Sequence, residues 1–252
     1  MKKIFLIIIL SLTLFSTKAQ QVNWSDNTTN VLKQGRKEVG IFSPLVFGLK
    51  DTMQISVNPV WFFAIPNIEI KKYWKKIGSI NIATKHNLTY PTLLYKLISR
   101  RGTGGILPEP SVIPQMLKLN NAVILSKKFN DYFNITAKIG IDMTFAFGSS
   151  DFPDIEFPVI YPRTYSLNNF LTPYSGLNFT GKIYKNIYYD NNINLFFMTT
   201  NNKGIVTEDE LKLQWYLSDK FAVKGGTIYT YGNFPFGKES KFLPVIDLLF
   251  GF

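Results

Sequence analysis

The sequence predicts an all-β protein: an antiparallel transmembrane β-barrel of about ten strands, with twelve as the alternative count. Three observations carry that expectation. In residues 132–147 every odd position is apolar and the even positions are mostly polar or small, the chain ends in a second alternating run that finishes on Phe252, and no apolar stretch after Ala19 reaches the length of a membrane helix. Composition agrees. Charged residues make up 18% of the chain and apolar residues 46%, whereas about a quarter of an ordinary soluble domain is charged. A chain this apolar, with no helical span, must hide its apolar groups in a core or turn them to lipid through a closed sheet.

The elements follow in order. Lys2 and Lys3 precede an apolar run from Ile4 to Leu14, and the stretch closes on Ser16-Thr17-Lys18-Ala19. A basic start, a short apolar centre and a small-x-small end make residues 1–19 a secretory signal peptide; the run falls short of the roughly 20 residues a bilayer span needs. Residues 20–37 are expected as an N-terminal periplasmic segment and 38–252 as the barrel. Within 38–64 one hairpin is expected about Lys50-Asp51. An up-strand follows near 77–90, with Ile80, Ile82 and Leu88 on one parity. A down-strand near 112–126 leads into 131–147, where Phe133, Ile135, Ala137, Ile139, Ile141, Met143, Phe145 and Phe147 hold one face and Asn134, Thr136, Lys138, Asp142 and Thr144 the other. Strands near 174–186, 190–200, 205–218, 220–232 and 240–252 complete the ten. Residues 67–74 and 154–166 would raise the count to twelve, although Pro153, Pro158 and Pro162 argue against the second as a central strand.

Polar connections link these segments in a two-sided rhythm. Short Asn/Asp/Lys turns at 126–131, 185–192 and 218–221 alternate with longer connections at 91–111, 148–173, 201–207 and 233–239. Short turns on one side and long loops on the other fit a membrane barrel.

The last strand carries a resemblance. Phe242, Pro244, Ile246, Leu248, Phe250 and Phe252 share one parity. An alternating final strand with a terminal aromatic resembles the C-terminal signal of bacterial outer-membrane β-barrels, which implies that Phe250 and Phe252 are read by the outer-membrane assembly machinery. Pro244 departs from the pattern, since it removes a ladder donor. The segment 87–114, with Tyr90-Pro91-Thr92 and Gly102-Thr103-Gly104-Gly105-Ile106-Leu107-Pro108, is similar to uncharacterised small outer-membrane proteins of Gram-negative bacteria, a likeness that implies location and no activity.

Chemistry is sparse. The chain has no cysteine and a single histidine, His86, which excludes disulfide scaffolds, thiolate metal sites and cysteine nucleophiles. No metal site, cofactor, catalytic residue or nucleic-acid partner is expected. His86 shares parity with Ile82 and Leu88, while a catalytic base would need a hydroxyl in hydrogen-bond reach and a third group to orient it. The acidic run Glu208-Asp209-Glu210 lacks the spacing of a calcium loop and is expected at a loop edge.

Two basic features remain. Lys85, Lys138, Lys182, Lys212 and Lys224 all fall on the polar parity, answered mainly by Asp142 and Glu210. Facing lipid near the midplane, each would cost about 2–4 kcal/mol, so they are expected in the lumen. Arg100 and Arg101, in a turn-rich loop, are candidate contacts for surface anions such as lipopolysaccharide phosphates. The expected partners are outer-membrane lipid, lipopolysaccharide and the assembly machinery. The function is expected to be non-enzymatic: a narrow anion-preferring pore, or a surface protein that touches lipopolysaccharide. The alternatives are a soluble periplasmic barrel with an apolar ligand inside, and a lipid-modifying enzyme using His86.

Overall fold

The computed structural model describes residues 24–99, 107, 112–130, 132–155, 157–200, 204–234 and 237–252. The expected signal peptide at 1–19 and the Arg100–Arg101 pair lie outside the described residues.

Twelve antiparallel strands form one closed barrel, each hydrogen-bonded to its neighbours in sequence, with the first strand closing on the last. They are β1 (Lys37–Gly40), β2 (Leu45–Lys50), β3 (Met53–Val57), β4 (Asn67–Ile77), β5 (Ile80–Thr89), β6 (Gln115–Asn130), β7 (Phe133–Phe147), β8 (Leu171–Tyr184), β9 (Ile187–Met198), β10 (Gly204–Tyr216), β11 (Phe221–Phe234) and β12 (Gly237–Gly251). Two short helices interrupt them, α1 (Thr92–Ile98) and α2 (Tyr161–Asn169).

The count is twelve, the alternative expectation, and not ten. Eight strands stand where alternation puts them, and the hairpin at Lys50-Asp51 is β2–β3. The other two are β1, only four residues long, and β4, which pairs with β5 across the Gly78-Ser79 turn. Residues 154–166 are not a strand. Pro162 sits in the first turn of α2, where the absence of its N–H costs nothing. Two polar connections are also shorter than expected. β6 runs on to Asn130, and β9 begins at Ile187, so that residues 187–189 join the strand expected from 190 and the turn shrinks to 185–186. A polar inward face reads as a turn when only the residue types are seen.

Side-chain direction follows the alternation. On β7, Thr136, Asp142 and Thr144 are buried while Ile139 points outward and is 71% exposed. The same holds for Leu211 and Leu213 outside and Gln214 inside on β10, and for Val123 and Leu125 outside and Ser126 inside on β6. The barrel is apolar without and polar within, the inverse of a soluble barrel that stores an apolar ligand. Not every aromatic at a strand end lies outside. Tyr188 and Tyr216 turn inward and are buried.

The interior is filled from both ends. At the end that carries Phe252, residues 24–36 run across the mouth. Trp24 stacks on Tyr216 at 5.9 Å within a cluster that includes Tyr188, Ala222 and Leu249. Thr29 N donates to Ser126 Oγ (3.0 Å), Leu32 N to Gln54 Oε1 (2.9 Å) and Ser25 N to Glu38 Oε2 (2.8 Å), so backbone groups of an irregular segment are satisfied by inward wall side chains. Gly48 permits the close approach: a Cβ there would lie 2.0 Å from Lys33 O. At the opposite end α2 enters the mouth. Its Tyr161 and Tyr165 pack with Phe196, Met198, Val206 and Phe234 from β9, β10 and β11, and Ser166 shares a hydrogen bond with Thr144 of β7. Tyr95 of α1 packs with Leu107, Met116, Phe152 and Leu167 of α2 in one further cluster.

Candidate functional site: the lumenal chamber

Between these two fillings lies a polar chamber of about 280 Å³. It forms because β5, β7, β10 and β11 each present one lysine at mid-height on the inward parity. Lys85, Lys138, Lys212 and Lys224 all line it, together with Lys71 from β4. Lys182 does not. It sits on β8 nearer the Phe252 end, between the rings of Tyr132 and Tyr188, each 5.9 Å away.

The acids around the chamber are bound to donors. Glu69 takes Lys85 at 2.8 Å, Glu210 takes Lys212, and Asp26 receives the Lys71 ammonium at 4.0 Å, with its own carbonyl accepting from Lys71 Nζ at 3.1 Å. Asp190 is held by neutral amides, from Asn178, from Asn27 at 3.1 Å and from Gln214 at 3.2 Å. Two lysines are left without a carboxylate partner among the described residues. Lys138 Nζ donates to Asn192 Oδ1 at 2.9 Å, and Lys224 meets no ion pair. The lining is close to balanced in charge, with Asp26, Glu38, Glu69 and Asp190 among the lysines and Glu210 on Lys212, but the ammonium groups of Lys138 and Lys224 are in no ion pair among the described residues.

The upper closure is ionic as well as apolar. Arg163 of α2 donates through both terminal nitrogens to Glu208 of β10, with Nη2 to Oε1 at 2.8 Å, and Asn194 Nδ2 adds a third bond at 3.0 Å. Glu208 is completely buried. It was expected at a solvated loop edge. Its inward parity on β10 puts it instead beneath the helix, and Glu210 lies one pleat deeper in the lumen beside Lys212. Burial works against the Arg163 charge, but the Glu208 carboxylate and its hydrogen bonds outweigh it and hold the guanidinium above its ordinary value. Lys118 adds a second tie, reaching both Asp142 at 2.7 Å and the Arg163 carbonyl.

The remaining sequence candidates lie apart from the chamber. His86 is on the outer face, where its Nδ1 pairs with Asn121 Oδ1 of β6 at 2.7 Å. Phe250 packs outside against Phe221 with ring centres 5.5 Å apart, and Phe252 is exposed beyond the last strand, exchanging backbone hydrogen bonds with Lys37. Among the described residues no cluster of His, Asp and Glu could hold a metal ion.

The wall itself is uneven. β1 pairs with β12 only at Leu249–Gly251, and one further bond joins Ile41 N to Leu248 O. Above that level no described strand covers the second edge of β12. A larger cavity of about 580 Å³ opens at this seam. Sequence reasoning could not find it, because it depends on the shortness of β1 to β3 relative to the 15 residues of β12.

No known protein family matches the sequence, and no curated protein matches it. Among solved structures, the ferric yersiniabactin uptake receptor FyuA from Yersinia pestis aligns with 86% of this chain at 15% identity and a TM-score of 0.20. The alignment covers 42% of that receptor, so this chain spans under half of its length, and a likeness so slight supports no conclusion about role.

Proposed function

We propose that the protein is an outer-membrane β-barrel whose lumen is a narrow, closable passage for small anions. The observation that carries the reading is the pairing of an apolar outer wall with an inner chamber lined by Lys85, Lys138, Lys212 and Lys224, two of them in no ion pair among the described residues. An apolar belt such as Ile139, Leu177, Leu211, Leu213 and Ile246 belongs in hydrocarbon. Lysines inside a low-dielectric wall attract anions and repel cations at close range. The Phe252 end faces the periplasm in this reading, and α2 closes the external mouth. Lipopolysaccharide and the assembly machinery are the partners such a protein meets. The role is one of passage and not of catalysis, since His86 lies outside the chamber and is engaged by Asn121.

The test is electrical. The mature protein is refolded into planar bilayers of neutral lipid under a potassium chloride gradient. The reading expects a small conductance that favours chloride, larger in Arg163→Ala, with the preference reversed in the double variant Lys138→Glu, Lys224→Glu. Silence from both the native protein and Arg163→Ala overturns the passage. Location is read separately, by retention in the membrane pellet after a carbonate wash and faster gel migration without boiling.

A further inference from the structure

The seam between β12 and β1 is where the barrel departs from a closed wall. β12 is bonded to β11 along its whole length, from Phe234↔Gly237 to Phe221↔Phe250. On its other side it meets only Glu38, Val39 and Gly40, plus the Ile41 bond. From Gly237 to Asp247 the second edge of β12 has no strand beside it among the described residues. In hydrocarbon, bare backbone edges are costly. The sequence of the edge is graded accordingly. Lys238-Glu239-Ser240-Lys241 is polar, and Phe242 to Ile246 is apolar with Pro244 withholding one donor.

The facing rim is apolar too. Ile41 and Phe42 in the β1–β2 turn are exposed, as are Val60, Trp61, Phe62 and Phe63 in the β3–β4 connection. Asn58 ties the two together, donating from Nδ2 to Phe42 O at 3.3 Å. The rim is thus a built edge of two linked turns.

Behind the gap lies the 580 Å³ cavity. Of its lining, Phe42, Pro244 and Ile246 are exposed, Ile228 and Val245 are half-buried, and Lys224 is shared with the central chamber. The charges there are already engaged, with one exception. Asp247 accepts from Phe42 N at 3.0 Å and from Ser43 N at 2.8 Å, and Glu210 holds Lys212. Lys224, across from Asp247 in the strand pairing and within the field of Asp190, makes no ion pair or hydrogen bond among the described residues, and it belongs also to the lining of the central chamber. An apolar entrance at membrane depth that ends on one uncommitted ammonium is complementary to a molecule with a single apolar chain and an anionic head.

We propose that this seam is a lateral portal that takes an acyl-chain carboxylate from the membrane, with the chain against Phe42, Ile228 and Ile246 and the carboxylate on Lys224. The proposal rests on the outer-membrane reading above but not on conductance. A chain entering sideways need not pass α2 or residues 24–36, so both closures can stay in place. The ligand's chain also covers the apolar part of the bare edge.

The test uses the full mature protein in nanodiscs of neutral phosphatidylcholine, with cis-parinaric acid as the fluorescent carboxylate and its methyl ester as the uncharged control. Saturable binding of the acid, with the ester weaker by about tenfold or more, is the expected result, that being the scale of one charge-assisted hydrogen bond. Lys224→Gln should lose a similar factor for the acid and nothing for the ester, and Lys224→Arg should recover most of it. Ile228→Trp should weaken both ligands by filling the cavity. Unboiled gel migration confirms that each variant is folded. Equal binding of acid and ester, or of the acid by native protein and Lys224→Gln, overturns the site. Absence of saturable binding in a correctly inserted barrel overturns the portal and leaves the location standing. A barrel that never enters the membrane overturns the earlier reading itself.

Discussion

Arg163 and Glu208 face each other across the upper mouth of the barrel, 45 residues apart in sequence and joined by two hydrogen bonds, with the carboxylate fully buried beneath the helix that carries the guanidinium. The pair adds an ionic anchor to the packing of Tyr161 and Tyr165 and the Ser166–Thr144 bond that seat α2. Helix α2 has no side-chain cap at its start and a weakly apolar face, so local preference alone would not hold its nine residues in place.

Replacing Arg163 by Ala should therefore loosen the helix without unfolding the barrel. Glu208 would keep only Asn194 as a donor in a site made for a cation. Loss of one partner from a fully buried pair costs about 3–5 kcal/mol. Because the Arg163 side chain is itself 46% exposed, about 2 kcal/mol is the better expectation, read as a lower urea midpoint in micelles. The double change Arg163→Met, Glu208→Leu should recover part of that loss, since no uncompensated charge remains.

Ile139 and Lys138 are adjacent and point to opposite sides of β7. Lys at 139 should block stable insertion, because its charge would meet lipid at a cost of about 2–4 kcal/mol near the midplane. Glu at 138 should insert normally, facing a hydrated chamber. The readout is the unboiled, fast-migrating band. Normal insertion of Ile139→Lys would falsify the inward and outward assignment of every strand.

The lower closure rests on a contact that only glycine permits. Gly48→Ala places a methyl group against the Lys33 carbonyl and must push residues 32–36 away from the wall. Trp24→Ala removes the ring that fills the Tyr188, Tyr216 and Leu249 cluster. Both should make the N-terminal segment cleavable by added protease while the strands remain protected. Trp24→Ala should cost about 3–5 kcal/mol of the segment's docking, the range for truncating a buried aromatic.

Deletion of Phe252 separates two roles for the last residue. As a packing group it contributes little, because its ring is 70% exposed. If the assembly machinery reads it, the truncated chain should accumulate less in the membrane while refolding from urea into micelles at the native rate. Equal membrane levels for native and truncated chains would remove the assembly role.

Much of the wall was legible in the sequence, and the reason is geometric. A strand repeats every two residues, so the faces of β7, β10 and the lower half of β12 are written directly in residues 133–147, 204–216 and 246–251. The lumen placement of Lys85, Lys138, Lys212 and Lys224 follows from the same period. Where the inward face carries Asp and Asn, as at Asp190 and Asn192, the pattern looks like a turn, and where strands are as short as β1 there is too little repeat to see. The tertiary structure alone decided the rest. Residues 24–36 and 161–169 enter the lumen because inward side chains from distant strands satisfy their backbone and charge, and no local pattern encodes that meeting. The open edge of β12 arises from a mismatch in length between strands at the two ends of the chain, which closure of the barrel brings side by side. Alternation fixes which way each side chain points. Only closure fixes what it meets there.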